Sequence, residues 1–196
     1  MKRRETLKSL GAAAIGLAFP ISLGDLRAAM ARTQAARAAG TFSLRFFTQR
    51  EFETAKFVAD LIIPRDERSG SASDAGVPEF MDFICGEFEG MGKNTRAALM
   101  WLDAECRKRE GKDFLTISER ERRSLLDRIA WPRRAPADLA EGVKHFNHLR
   151  DFTASGFFTS KLGIEDLGYQ GNVPVPEWNG CPDHVVSRLG FRPGER

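Results

Sequence analysis

Apolar residues recur along this chain at helical spacing, and proline or glycine closes each recurrence. Thr48-Gln49-Arg50-Glu51 is a capping box, in which hydroxyl and carboxylate satisfy each other's backbone donors. Behind it Phe52, Ala55, Val58/Ala59 and Leu61/Ile62 share one helical face until Pro64. Residues 65–76, rich in Ser, Asp and Gly, read as a surface loop. Pro78 suits a first helical position, and Phe80, Met81, Ile84, Cys85 and Phe88 follow at helical spacing. A third helix is expected from Asn94 or Thr95 to Gly111, with Ala98, Leu99, Leu102 and Cys106 as its stripe and Arg107-Lys108-Arg109 in its last turn. Ser118-Glu119-Arg120-Glu121 is a second capping box, leading into Leu125, Leu126 and Ile129 before Trp131-Pro132. A longer helix is expected from Pro136 to Gly156, carrying Val143, Phe146, Leu149 and Phe152. From about residue 163 the periodicity fades into a tail rich in glycine and proline. No strand alternation and no repeat stand out. The expected class is all-α, a small bundle of about five helices with an irregular C-terminal tail.

The first thirty residues follow different rules. Arg3 and Arg4 precede Leu7-Lys8 and a weakly apolar run from Gly11 to Gly24 that Gly16 and Pro20 interrupt. This run is too short for a spanning helix, which needs about 20 apolar residues. A paired arginine, a modest apolar stretch and a small-residue exit read as a twin-arginine export signal, a route for folded cargo. Ala29-Met30-Ala31 offers a cleavage site and Ala36-Arg37-Ala38 a later one. The expected organisation is a signal segment over 1–31, a linker over 32–47 and a helical domain over 48–196.

The leader changes the meaning of the charge. The full chain carries 30 Lys and Arg against 27 Asp and Glu. Cleavage after Ala31 removes five of the basic residues (Lys2, Arg3, Arg4, Lys8, Arg27) and two of the acidic (Glu5, Asp25), leaving 25 of each. A neutral domain lacks the electrostatic footprint of a nucleic-acid binder.

Candidate chemistry is sparse. Cys85, Cys106 and Cys181 form no CxxC pair, haem-attachment CxxCH or iron–sulfur series. Cys85 and Cys106 fall on apolar helix faces, where they either pack as small hydrophobes or bridge each other. Cys181 lies near Asp183 and His184, a thiol with a nearby base, though triad members usually come from separate segments. Glu141, His145 and His148 share one face of the long helix, a spacing used by metal sites in bundles. Such sites draw ligands from several helices and no second Glu-x-x-His element exists, so a solvated polar face is the ordinary reading. Phe157-Phe158 beside Gly156 reads as core packing where a helix ends. No GxGxxG, GxxxxGK[ST], GxSxG or HExxH occurs. No catalytic, cofactor-binding or metal residue is assigned.

Several segments together resemble the gluconate 2-dehydrogenase subunit 3 (gamma or small subunit) family. They are the leader, Phe57 to Asp66 ending in Ile62-Ile63-Pro64, Asp74-Ala75-Gly76-Val77-Pro78-Glu79-Phe80-Met81-Asp82, Gly156-Phe157-Phe158-Thr159-Ser160, Leu167-Gly168-Tyr169 and Trp178-Asn179-Gly180-Cys181-Pro182. The Phe157-Phe158 pair stands where the family also uses tyrosine, and residues 183–196 match nothing in the pattern. The resemblance implies an accessory, non-catalytic chain of a periplasmic sugar or polyol dehydrogenase. Its partner is a large subunit of the glucose–methanol–choline type that holds FAD, often with a cytochrome c chain as electron acceptor. The small subunit would assist folding of the large one and carry it through the twin-arginine translocase. Trp178, Cys181, Phe157 and Phe158 are the expected partner-facing residues. Cys181, the thiol left over in an oxidising compartment, is a candidate for an inter-chain disulfide. An independent periplasmic enzyme and a membrane-surface scaffold are the competing readings.

Overall fold

The computed structural model describes residues 21–168, 181 and 183–190. Arg3, Arg4 and Trp178 lie outside the described residues. Among those described, all regular structure is helical: α1 (Leu23–Ala38), α2 (Gln49–Ile62), α3 (Val77–Glu87), α4 (Glu89–Glu110), α5 (Glu119–Ala130), α6 (Ala140–Thr159), α7 (Lys161–Leu167) and α8 (Asp183–Arg188). A single 3₁₀ turn, Ala137–Leu139, leads into α6. The all-α class holds, with eight helices among the described residues rather than about five.

Both capping boxes form. Thr48 accepts from the Glu51 N–H while Glu51 accepts from the Thr48 N–H, and Ser118 and Glu121 repeat the pattern. Gly111 stops α4 in the left-handed region at φ 66°. Other boundaries move. The helix expected from Asn94 begins at Glu89, with only Phe88 between it and the end of α3, because Phe88 turns the chain in extended geometry without any side-chain cap. The helix expected over 136–156 is the 3₁₀ turn followed by α6, which runs on to Thr159. The tail expected to be irregular from residue 163 holds α7 and α8.

The segment expected as a linker, 32–47, is not one. Its first part completes α1, whose Leu26, Ala29, Met30 and Thr33 are buried at i, i+3, i+4 and i+7. Its last part packs, with Phe47 buried and Phe46 against the core. The loop at 65–76 is likewise tied down. Asp60 accepts from the Ser73 N–H and hydroxyl at 2.8 and 2.7 Å, and Ala72 and Ala75 are buried.

α6 is the centre of the bundle and packs against α1, α2, α3, α4, α5 and α7. Its Phe152 meets Phe80 of α3 edge-on at 5.9 Å, and Phe80, Phe114, Phe152 and Phe157 are among the largest fully buried side chains. Glycines let the helices close on these rings. A Cβ on Gly142 would lie 2.2 Å from the Trp101 ring, and one on Gly156 would lie 2.9 Å from Phe80.

Candidate functional site

The polar groups that matter most to the described structure are inside it. Asp82 of α3 is fully buried and accepts three backbone N–H groups, from Arg45 at 2.8 Å, Phe46 at 3.0 Å and Phe47 at 2.7 Å. A buried carboxylate is tolerated only when its oxygens are satisfied, and this one is satisfied by a segment far off in sequence. The same segment is held from the other side by α4. Arg96 donates to the Phe46 carbonyl at 2.9 Å and to Glu51 at 2.7 Å, and its guanidinium lies 4.1 Å from the Phe46 ring centre. Burial alone would raise the Glu51 carboxyl; hydrogen bonds from Arg96 and Thr48 outweigh it and hold the group below its ordinary range. Asp82, Arg96 and Glu51 thus fix how the chain enters α2.

A second polar seam joins α4 and α6. Thr95, fully buried, shares a 2.9 Å hydrogen bond with His148 Nε2, the donor being set by the imidazole tautomer. The Thr95 hydroxyl is also near enough to the Cys85 thiol to favour its charged form, against the larger effect of burial. Burial, reinforced by nearby His145, lowers the His148 pKa against a weaker opposing pull from Asp151. The reading of Glu141, His145 and His148 as one solvated face is therefore corrected. Glu141 is exposed and sits 3.7 Å from the half-buried His145, which leans on Trp101, while His148 turns inward to Thr95. Among the described residues no three His, Cys, Asp or Glu side chains are grouped as a metal site requires.

A thiol beside a hydroxyl–imidazole pair suggests a nucleophile with its base, but the thiol state argues otherwise. Burial pushes the Cys85 thiol up to about 12, so it is protonated at neutral pH and a poor nucleophile. Cys106 is driven to the same value, first by burial and then by surrounding carboxylates. Both are free, so the bridge between them does not form. Cys181 is exposed, ahead of the exposed Asp183 and His184 on α8.

The expectation that Phe157 and Phe158 both face a partner is corrected for the first of the pair. Phe157 is buried in this chain's own core, and Phe158 stands edge-on to it at 5.3 Å and is exposed. Sequence reasoning also missed a groove of about 380 Å³ between α2, α5 and α6, floored by Leu61, Ile62, Leu126 and Phe146. Trp131, 62 % exposed, stands at it with Arg123 and Arg150. No described helix is long and apolar enough to cross a membrane.

The described chain is thus an all-α bundle whose buried polar groups join helices and loops to one another. Residues 49–176, well over half of the chain, match the family model described as gluconate 2-dehydrogenase subunit 3. The chain belongs to that family, whose name is that of one subunit of a dehydrogenase. No curated protein and no solved structure matches it.

Proposed function

We propose that this chain is the non-catalytic small subunit of a periplasmic FAD-dependent dehydrogenase acting on a sugar, gluconate or glycoside, and that it assists folding and twin-arginine export of the catalytic subunit. The observation that carries the reading is the family match over 49–176 behind an N-terminus bearing Arg3-Arg4 and a short apolar run. A folded-cargo export signal on a chain whose sequence carries no nucleotide fingerprint or haem motif is what an escort needs. In this reading FAD belongs to a large subunit of the glucose–methanol–choline type, and a cytochrome c chain takes the electrons. Partner contact falls to Phe158, Trp178 and Cys181, the last through an inter-chain disulfide.

The test replaces Arg3 and Arg4 with Lys in cells expressing both subunits, followed by fractionation. Both chains are expected to stay in the cytoplasm. A flavoprotein partner still exported in the mutant refutes the escort role.

A further inference from the structure

The cleavage site that the leader suggests, after Ala31, falls in the middle of α1. Ser22 caps this helix by accepting from the Asp25 N–H at 3.1 Å, and Ile21 just before the cap is buried. Ala29 and Met30, on the N-terminal side of the bond to be cut, are buried against the bundle, and so is Thr33 on the other side. α1 packs on α3 and on the central α6. Its last turn is fastened by Arg37, which pairs with Glu79 at 3.0 Å and donates to the carbonyls of Ser73 at 3.1 Å and Asp74 at 3.3 Å. Gly76 is required beneath this guanidinium. Its φ is 81°, and a Cβ there would lie 2.6 Å from Arg37 Nη1.

We infer that α1 belongs to the working protein: any removal of the leader takes place ahead of Ile21, and the bonds from Ser22 to Gly40 stay intact. Cutting after Ala31 would strip Ile21, Leu26, Ala29 and Met30 from the core and open the faces of α3 and α6 to water. Cutting after Ala38 would remove Arg37 as well. A protease needs its substrate bond extended, and this bond lies within a helix docked along one side. The order of events rests on the twin-arginine reading, because cargo folded before export has α1 docked before it meets a peptidase. The place of α1 in the fold rests on the contacts alone.

The full chain is expressed in a twin-arginine-competent host, and its N-terminus is determined by sequencing and intact mass after fractionation. The expected exported chain begins at or before Ile21; one beginning at Arg32 or Ala39 overturns the inference. The compartment reports separately on the export reading, and if the chain stays in the cytoplasm that reading fails and thermal melting decides this one. Relative to the full chain, Met30→Glu is expected to lower the melting midpoint by at least about 10 °C or to prevent recovery of folded protein. Ala28→Glu, on the exposed side of the same helix, is expected to melt like the parent. A chain starting at Arg32 is expected to lose its cooperative transition. Met30→Glu and the Arg32 start both melting like the parent would overturn the inference.

Discussion

Asp82 gives the sharpest test of how this bundle holds together. Truncation to Ala removes the acceptor of three backbone N–H groups in a site with no exposed surface. Each buried donor left unpaired costs about 1–3 kcal/mol. Some relaxation of residues 45–47 toward water lowers the total, so about 4–6 kcal/mol is the expected loss. That is a large part of the roughly 5–15 kcal/mol that stabilises a typical domain. Asp82→Asn should cost less. Its remaining carbonyl can still serve Phe46 and Phe47, which share Oδ1, while its NH₂ group faces the Arg45 N–H that Oδ2 now accepts. A loss of about 1–3 kcal/mol is expected for that one mismatched donor.

Urea unfolding followed by circular dichroism reads both variants. With a slope of about 2 kcal/mol per molar urea, the midpoint should fall by about 2–3 M for Ala and about 0.5–1.5 M for Asn, with the slope unchanged. Asp66 is the control. It too accepts two backbone N–H groups, from Arg68 and Ser69, but in an exposed turn where water replaces the carboxylate. Asp66→Ala should leave the midpoint in place. An Asp82→Ala midpoint equal to that of the parent would refute the claim that this carboxylate holds the entry to α2.

Three further outcomes are expected. His148 has a depressed pKa in the folded chain, so above about pH 6.5 both states are neutral and it adds no pH dependence. Below that value the unfolded chain takes up a proton that the folded one resists, so stability should fall from pH 6.5 down to the folded pKa; the difference between parent and His148→Gln should therefore shrink over that window, and a flat difference refutes it. Gly163→Ala should lower the melting midpoint sharply, since the added Cβ would lie 2.1 Å from the Phe157 carbonyl oxygen, backbone that cannot swing aside; an unchanged melt would contradict the packing of α7 on α6. In the isolated native chain a thiol reagent at pH 8 should modify Cys181 quickly and spare Cys85 and Cys106, with all three reacting in denaturant; fast labelling of three thiols in the native state would contradict the burial of the other two.

What was legible in the sequence was mostly local. A capping box satisfies its own backbone within four residues, so Thr48/Glu51 and Ser118/Glu121 announce helix starts without tertiary help. The Gly111 stop is of the same kind. Asp82 is not, because its partners are amides 35 to 37 residues earlier and an amide leaves no side-chain signature. His148 was misplaced for a related reason: its neighbours along α6 include exposed Glu141, Lys144 and Arg150, and only Thr95 on α4 turns it inward. The early start of α4 was hidden by Gly90 and Gly92, poor helix formers. Gly92 is there because a Cβ would press on the Cys85 carbonyl at 2.7 Å and the Phe46 ring at 2.8 Å. α1 was hidden by its composition, since an alanine-rich stretch beside an apolar run reads as the exit of a leader as readily as a small-residue packing face.

The three thiols are sorted by the packing of the bundle. In the proposed export role the core closes before the chain reaches an oxidising compartment. Cys85 on α3 and Cys106 on α4 sit inside that core, held as neutral thiols with pKa values near 12, and an uncharged, water-excluded sulfur exchanges slowly with any disulfide it meets. Cys181 lies beyond α7 and is exposed. Of the three, Cys181 is thereby the thiol open to oxidation or disulfide exchange. In the proposed escort role, an inter-chain link at Cys181 joins the two subunits without opening the core that holds Cys85 and Cys106.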